Sequence, residues 1–322
     1  HIWANTYDSE LSAENVFEVQ SDIARTIANA LRAELSPDEV DALEVIPTTN
    51  TEALEKYLLA TQIAKRQTYD ALFQAEAYMQ EATELDDSFS NAWAGLAQMH
   101  GELFRTGAIG LQLYTNEATI AVAKALAIDP KNANALAARG QVQNATGDSL
   151  AAEESFREAL EIEPGSSRIL GMYGEMLRMQ GRLEDAKEVL STGLALDPLS
   201  FELLFQLGRT EMYLGHPERN IEMAHRIQEI EPLNINGYVA LLQANLWRGR
   251  YDEAWPWYVK TLATGPGDYE TWAHIGCYLS NLGLPEIADR YLEKARSLGP
   301  DEAVVAKCTS TALTNRGQIE QS

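Results

Sequence analysis

From about residue 90 onward, apolar positions fall in short helical stripes that break at fixed intervals. The stretch from Ala133 to Ser166 is representative. Leu136, Gly140 and Val142 supply one apolar helical face, and Gly147-Asp148 then breaks the helix. Glycine takes the left-handed C-cap without steric cost, and aspartate can cap the next helix. Ala152, Phe156 and Ala159 recur at i, i+4 and i+7, the spacing of a second buried helical face. Pro164 closes the unit because it cannot donate the hydrogen bond of a continuing helix. The pattern predicts two short amphipathic helices joined by a tight turn. Such a hairpin has no core of its own and must be stacked against others.

The stacking is written in the spacing. Pro130, Pro164, Pro198, Pro232, Pro266 and Pro300 lie 34 residues apart without a slip. Second-helix triplets keep the same phase: Ala152/Phe156/Ala159, Ala186/Leu190/Gly193, Asn220/Ala224/Ile227, Ala254/Tyr258/Thr261 and Ala288/Leu292/Ala295. Gly140, Gly174, Gly208 and Gly276 mark the first helix, with Leu242 in the corresponding place of the sixth unit. Gly147, Gly181, Gly215, Gly249 and Gly283 mark the turn. A helix–turn–helix unit of 34 residues with a small–aromatic–small–proline ending resembles the tetratricopeptide repeat family. That resemblance implies an all-α, right-handed superhelical solenoid of about seven repeats over residues 52–300. The repeats fall at about 52–89, 90–132, 133–166, 167–200, 201–234, 235–268 and 269–302, and residues 303–322 read as a capping helix or the start of a further repeat. Gly317 stands where the next turn would fall.

Two segments depart from the pattern. From His100 to Ala118 is 18 positions where the repeat allows nine, so GELFRTGAIGLQLYTNE is an insertion that lengthens the first helix or bulges outward. Insertions of this kind map to loops, often near binding faces. Ahead of the array, residues 1–8 alternate like a strand, and residues 12–35 carry Val16, Val19, Ile23, Ile27 and Leu31 at helical spacing. Ser36-Pro37 starts a short helix, and residues 45–51 read as a linker. A lone strand and helix cannot bury themselves, and the chain opens at His1 rather than Met, so residues 1–44 read as a truncated remnant of a longer protein. HIWANTYDSEL and ENVFEVQSDIARTIANAL are similar to the end of the TolB-like domain found ahead of such arrays in bacterial signalling proteins. The resemblance implies a parent carrying a class III adenylate/guanylate cyclase domain or a winged-helix domain.

Composition narrows the function. With 45% apolar residues the chain can bury a core, and its net charge of −23 argues against nucleic acid or an anionic membrane surface as a direct partner. The sequence has no apolar run of membrane-spanning length. Cys277 and Cys308 lack metal-site or redox-motif spacing, and the compartment, cytoplasm or periplasm, is not readable. There is no phosphate-binding glycine loop, zincin motif or nucleophile elbow. The five histidines are dispersed, and His100 is read as an inter-helix packing residue. No cofactor, metal or catalytic residue is nominated.

A binding face is nominated instead. In the family the first helix of each repeat lines the concave surface, which on this chain implies Asn134, Gln141, Asn144, Arg168, Glu175, Arg178, Met179, Arg209, Met212, Tyr213, Gln243 and Trp247. Amides suit an extended peptide's backbone, while Met179, Met212, Tyr213 and Trp247 offer apolar contact. Arg168, Arg178 and Arg209 either receive an acidic ligand or pair with Glu175, Glu202 and neighbouring acids. The chaperone-tail carboxylate clamp is not expected, because Ala94, Ala137 and Gly171 occupy its lysine positions. On the opposite side, Trp255 with Ile221 and Met223 is a candidate apolar patch for a homodimer. The leading reading is a non-catalytic protein–protein interaction scaffold that takes a protein or peptide partner in its groove. The alternatives are a self-association module and the C-terminal region of a cyclase.

Overall fold

The computed structural model describes residues 15, 17, 21–22, 47–66, 69–105, 108–232, 234–264, 269–298 and 303–320. The expected strand over residues 1–8, most of the helix expected over 12–35, the short helix from Ser36, and both Pro266 and Pro300 lie outside the described residues. Within them all regular structure is helical, in fifteen elements: α1 (Thr51–Ala64), α2 (Tyr69–Leu85), α3 (Ser90–Arg105), α4 (Leu111–Ile128), α5 (Ala133–Ala145), α6 (Ser149–Ile162), α7 (Ser167–Met179), α8 (Leu183–Leu196), α9 (Phe201–Tyr213), α10 (Pro217–Ile230), α11 (Ile235–Trp247), α12 (Tyr251–Thr264), α13 (Tyr269–Asn281), α14 (Pro285–Leu298) and α15 (Ala303–Glu320). Each odd-numbered helix from α1 to α13 packs on its even-numbered mate and on the next odd-numbered helix. The result is a solenoid of antiparallel hairpins.

The turns repeat atom for atom. Gly147, Gly181, Gly215, Gly249 and Gly283 all take positive φ, between 70° and 92°. The residue after each glycine donates to a carbonyl five positions back, as Asp148 N to Gln143 O at 2.9 Å and Arg182 N to Leu177 O at 2.9 Å. This is the 6→1 bond of a Schellman motif, and it fixes the angle between paired helices. First helices begin on side-chain caps at the matching position, with Asn132, Ser200 and Asn234 accepting from the amides of Ala135, Leu203 and Asn236. Second helices end where a proline follows the C-cap residues Asp129, Glu163, Asp197 and Glu231.

The helix pairs approach closely where the first-helix glycine sits. A Cβ at Gly140 would lie 3.0 Å from the Phe156 ring, and one at Gly174 or Gly276 would lie 2.5 Å from Leu190 or Leu292. In the sixth unit Leu242 is fully buried with Ala254 and Tyr258 in one cluster. Core side chains run continuously between repeats. Phe156, Tyr173, Leu190 and Leu203 share one cluster, drawn from α6, α7, α8 and α9. Phe17 is helical and packs against Ala53, Leu54 and Phe89 of the first repeat.

Three details add to the picture drawn from the sequence pattern. α15 runs through Gly317 to Glu320, so no turn forms there. Pro256 is the sixth residue of α12, beyond the first turn, and deprives Asp252 of its helical donor. Asp252 is exposed, so water can serve its carbonyl. Third, the insertion lengthens the first helix, one of the two expectations, and lengthens the second as well. α3 has 16 residues against 13 in α5, and α4 has 18 against 14 in α6. The α4 extension follows from Tyr114, Ala118, Ala121, Val122 and Ala125, a buried stripe at helical spacing that begins inside the insertion.

Candidate functional site

The insertion walls a cavity of about 450 Å³ against the inner face of the array. One side is Gly101, Glu102, Phe104 and Arg105 of α3 with Ile109, Gly110, Leu111 and Tyr114. The other is Gln141 and Asn144 of α5 with Met172, Glu175, Met176 and Met179 of α7. Ser297 and Leu298, at the end of α14, also line it. Phe104 and Tyr114 stack with centroids 4.8 Å apart and planes within 7°. The walls are therefore largely aromatic and thioether, with a few polar groups between them, as in typical ligand cavities.

The polar groups form a charge network. Arg105 donates to Glu102 through Nη2 at 2.5 Å and Nε at 3.0 Å. Burial works against the Arg105 charge, but the carboxylates of Glu102, Glu202 and Glu175 outweigh it and hold the guanidinium above its ordinary pKa. Burial also raises Glu202, although Arg105 pulls the other way, and Glu202 accepts from Gln206 Nε2 at 3.0 Å. Arg178 Nη2 stands 3.9 Å from Glu175 Oε1. Burial lowers Arg168 despite the opposing pull of Tyr57, Glu163 and Glu102. His100 is buried 4.0 Å from Glu76, and that burial lowers its pKa.

The nominated inner-face residues do not form one continuous open surface. Gln141, Asn144, Glu175 and Met179 line the cavity. Arg178 lies over the Tyr213 ring at 5.5 Å, Tyr213 meets Trp247 edge-on at 5.5 Å, and Lys307 of α15 lies over Trp247 at 5.5 Å, a ladder from α7 to α15. Arg209 is 1% exposed, with its guanidinium over the Phe205 ring at 5.2 Å. Gln243 is fully buried, and among the described residues neither polar atom of its amide has a hydrogen-bond partner. Asn134 is half-buried, its Oδ1 likewise without a partner. Met212 faces the hairpin interior, its sulfur 3.5 Å from Asn220 Nδ2 of α10. The ninth position of successive repeats carries Gln141, Glu175, Arg209, Gln243 and Cys277, a ridge in register only, since Arg209 and Gln243 are buried.

The three residues of the nominated dimer patch serve different surroundings. Ile221 and Met223 are half-buried against Leu204, Ala224 and Ile227, joining repeats. Trp255 is 48% exposed and stacks on Tyr258 at 5.2 Å, with Tyr278 behind it at 6.3 Å. The repeat spacing singles out the insertion but not Glu102, Phe104, Leu111 or Tyr114 within it. The helical stripe from Tyr114 onward is the available signal. Among the described residues no cluster of histidine, cysteine and carboxylate groups is arranged to hold a metal, and no helix is long and apolar enough to cross a membrane.

A family model described as a tetratricopeptide repeat matches residues 144–207. Among solved structures, the human IFIT1 dimer with m7Gppp-AAAA is 16% identical and superposes with a TM-score of 0.61, covering 93% of this chain and 70% of that one. A tetratricopeptide repeat protein from Parabacteroides merdae ATCC 43184 is 15% identical with a TM-score of 0.53, covering 81% of this chain and 99% of that one. At these identities the likeness is one of fold. A curated relative, putative adenylate cyclase 3 of Rhizobium meliloti (strain 1021), is 30% identical over 97 residues. The match takes in 30% of this chain and 16% of that protein's length.

Proposed function

We propose that this tetratricopeptide-repeat protein is a non-catalytic interaction scaffold that binds an extended peptide segment of a protein partner along its inner face. The observation that carries the reading is the cavity under the insertion. It combines apolar walls with the amides of Gln141 and Asn144, which can meet a peptide backbone. Exposed rings and thioethers extend the same face, with Trp247 and Met179 both more than one-third exposed. Peptide display selection against the immobilised chain tests the reading. Recovered peptides should lose binding to a chain bearing Asn144→Ala and Trp247→Ala together. Recovery of no peptide, or retention by that variant, refutes it.

A second reading is favoured by the match to a putative adenylate cyclase. In it the array is the regulatory region of a longer signalling protein, and peptide capture relays a partner's presence to a catalytic domain elsewhere. Cyclase activity that responds equally with and without the array, in a chain carrying both, would remove this reading.

A further inference from the structure

We propose that the cavity built by the second-repeat insertion is the anchoring point of the groove, and that it takes a bulky apolar side chain of a peptide carrying a lysine or arginine beside it. This rests on the groove-binding reading above. Four observations support the assignment. The first is size: about 450 Å³ lies within the range of cavities that enclose ligands, far beyond a packing defect. The second is wall chemistry. Phe104, Tyr114, Met172 and Met176 present flat and polarizable surfaces that adapt to side chains of different shape. The third is the rim, where Leu111 is 46% exposed and Met179 40% exposed, leaving apolar surface that a docked side chain would cover.

The fourth is charge. Glu102 and Glu175 line the cavity with Arg105, which is bonded to Glu102 and also feels Glu202, and Arg178 stands 3.9 Å from Glu175. An anionic ligand would add a fourth carboxylate to this group. A cation at the cavity mouth would be shared between the Glu102 and Glu175 carboxylates. The net charge of −23 steers basic segments toward the chain from a distance. Of the arginines nominated for an acidic ligand, Arg178 lies beside Glu175 and over Tyr213, and Arg209 lies over Phe205.

The test uses fluorescence anisotropy with three labelled synthetic peptides of one length: a central leucine flanked by lysines, the same leucine flanked by glutamates, and a central serine flanked by lysines. The intact chain should bind the first at least about tenfold more tightly than either other peptide. Leu111→Ser with Met179→Ser leaves charge unchanged and should weaken the first peptide by about tenfold, to the level of the serine peptide. Glu175→Gln should narrow the gap between lysine and glutamate flanks. Unfolding midpoints confirm that each variant is folded. Leucine and serine peptides that bind alike, or binding insensitive to the rim variant, mean general attraction to an acidic surface and overturn the proposal. If none of the three binds while display selection recovers peptides lost on Asn144→Ala/Trp247→Ala, the anchor assignment falls and the groove reading stands. If selection also recovers nothing, both fall.

Discussion

The closeness of the paired helices can be tested with two glycine substitutions of opposite expected sign. In a helix interior, Gly→Ala alone gains about 0.5–1 kcal/mol by restricting the unfolded chain. Gly317 lies inside α15, and a Cβ there would meet nothing within 4 Å, so Gly317→Ala should stabilise by about 0.5 kcal/mol, the low end for a last-turn position. Gly174 has the same intrinsic gain but a different neighbour. Its Cβ would lie 2.5 Å from both Cγ and Cδ2 of Leu190, which is fully buried. Cγ is the branch point of that side chain, so rotating a methyl does not clear it, and α7 and α8 must separate. Overpacking of this kind costs about 1–3 kcal/mol, so the net effect of Gly174→Ala is a loss of about 1–2 kcal/mol. Urea unfolding followed by circular dichroism reads both as midpoint shifts, with slopes compared to detect any break in cooperativity. A midpoint that rises for Gly174→Ala as it does for Gly317→Ala would refute the close-packing argument.

Three other sites carry predictions of their own. Gln243→Met keeps the volume of a fully buried side chain while removing an amide with no partner, so it should stabilise by about 1 kcal/mol in the same assay. A loss would mean that the amide is satisfied in solution. The Arg182 hydrogen bond, with Tyr173 and Arg157 adding to it, lowers the pKa of Glu153 against the opposing effect of burial. The stability it contributes is therefore present above the ordinary value of 4.5 and is lost as pH falls through the lowered folded-state value. Glu153→Gln should cost about 1 kcal/mol at pH 7, and the gap should close in acid; a gap constant down to pH 2 contradicts this. At the α13–α15 contact, the hydrogen bond from Cys308 brings the Cys277 thiol down to about 7, while Cys308 is pushed up. Iodoacetamide should modify Cys277 first, with a rate midpoint near pH 7, and equal rates for both thiols would count against the contact.

The repeat was legible because its signals are local. A proline that ends a helix and a glycine that takes positive φ act within a few residues, and a period of 34 multiplies both signals. The inner face was legible only as a register. Counting positions put Arg209, Met212 and Gln243 beside Gln141 and Asn144 in one class, yet the first three are buried and the latter two line a cavity. Depth depends on which side chains of neighbouring repeats lean over a position, and spacing along one helix carries no information about that. The same limit applied to the insertion. Its length was plain, but the stacking of Phe104 on Tyr114 and the cavity that Leu111 shares with α7 residues appear only in three dimensions. Spacing likewise does not show that Ile221 and Met223 lie half-buried at a joint between repeats, where apolar residues of a second helix also pack.

The ridge of Gln141, Glu175, Arg209, Gln243 and Cys277 has a property that none of its members has alone. Because every turn closes with the same bond, these side chains come round at equal steps, in the fixed order amide, acid, base, amide, thiol. The order differs when read from the other end. Arg209 and Gln243 are sealed in the core, so the middle of this series is a polar seam inside the solenoid, and a ligand in the cavity meets only its Gln141 and Glu175 end.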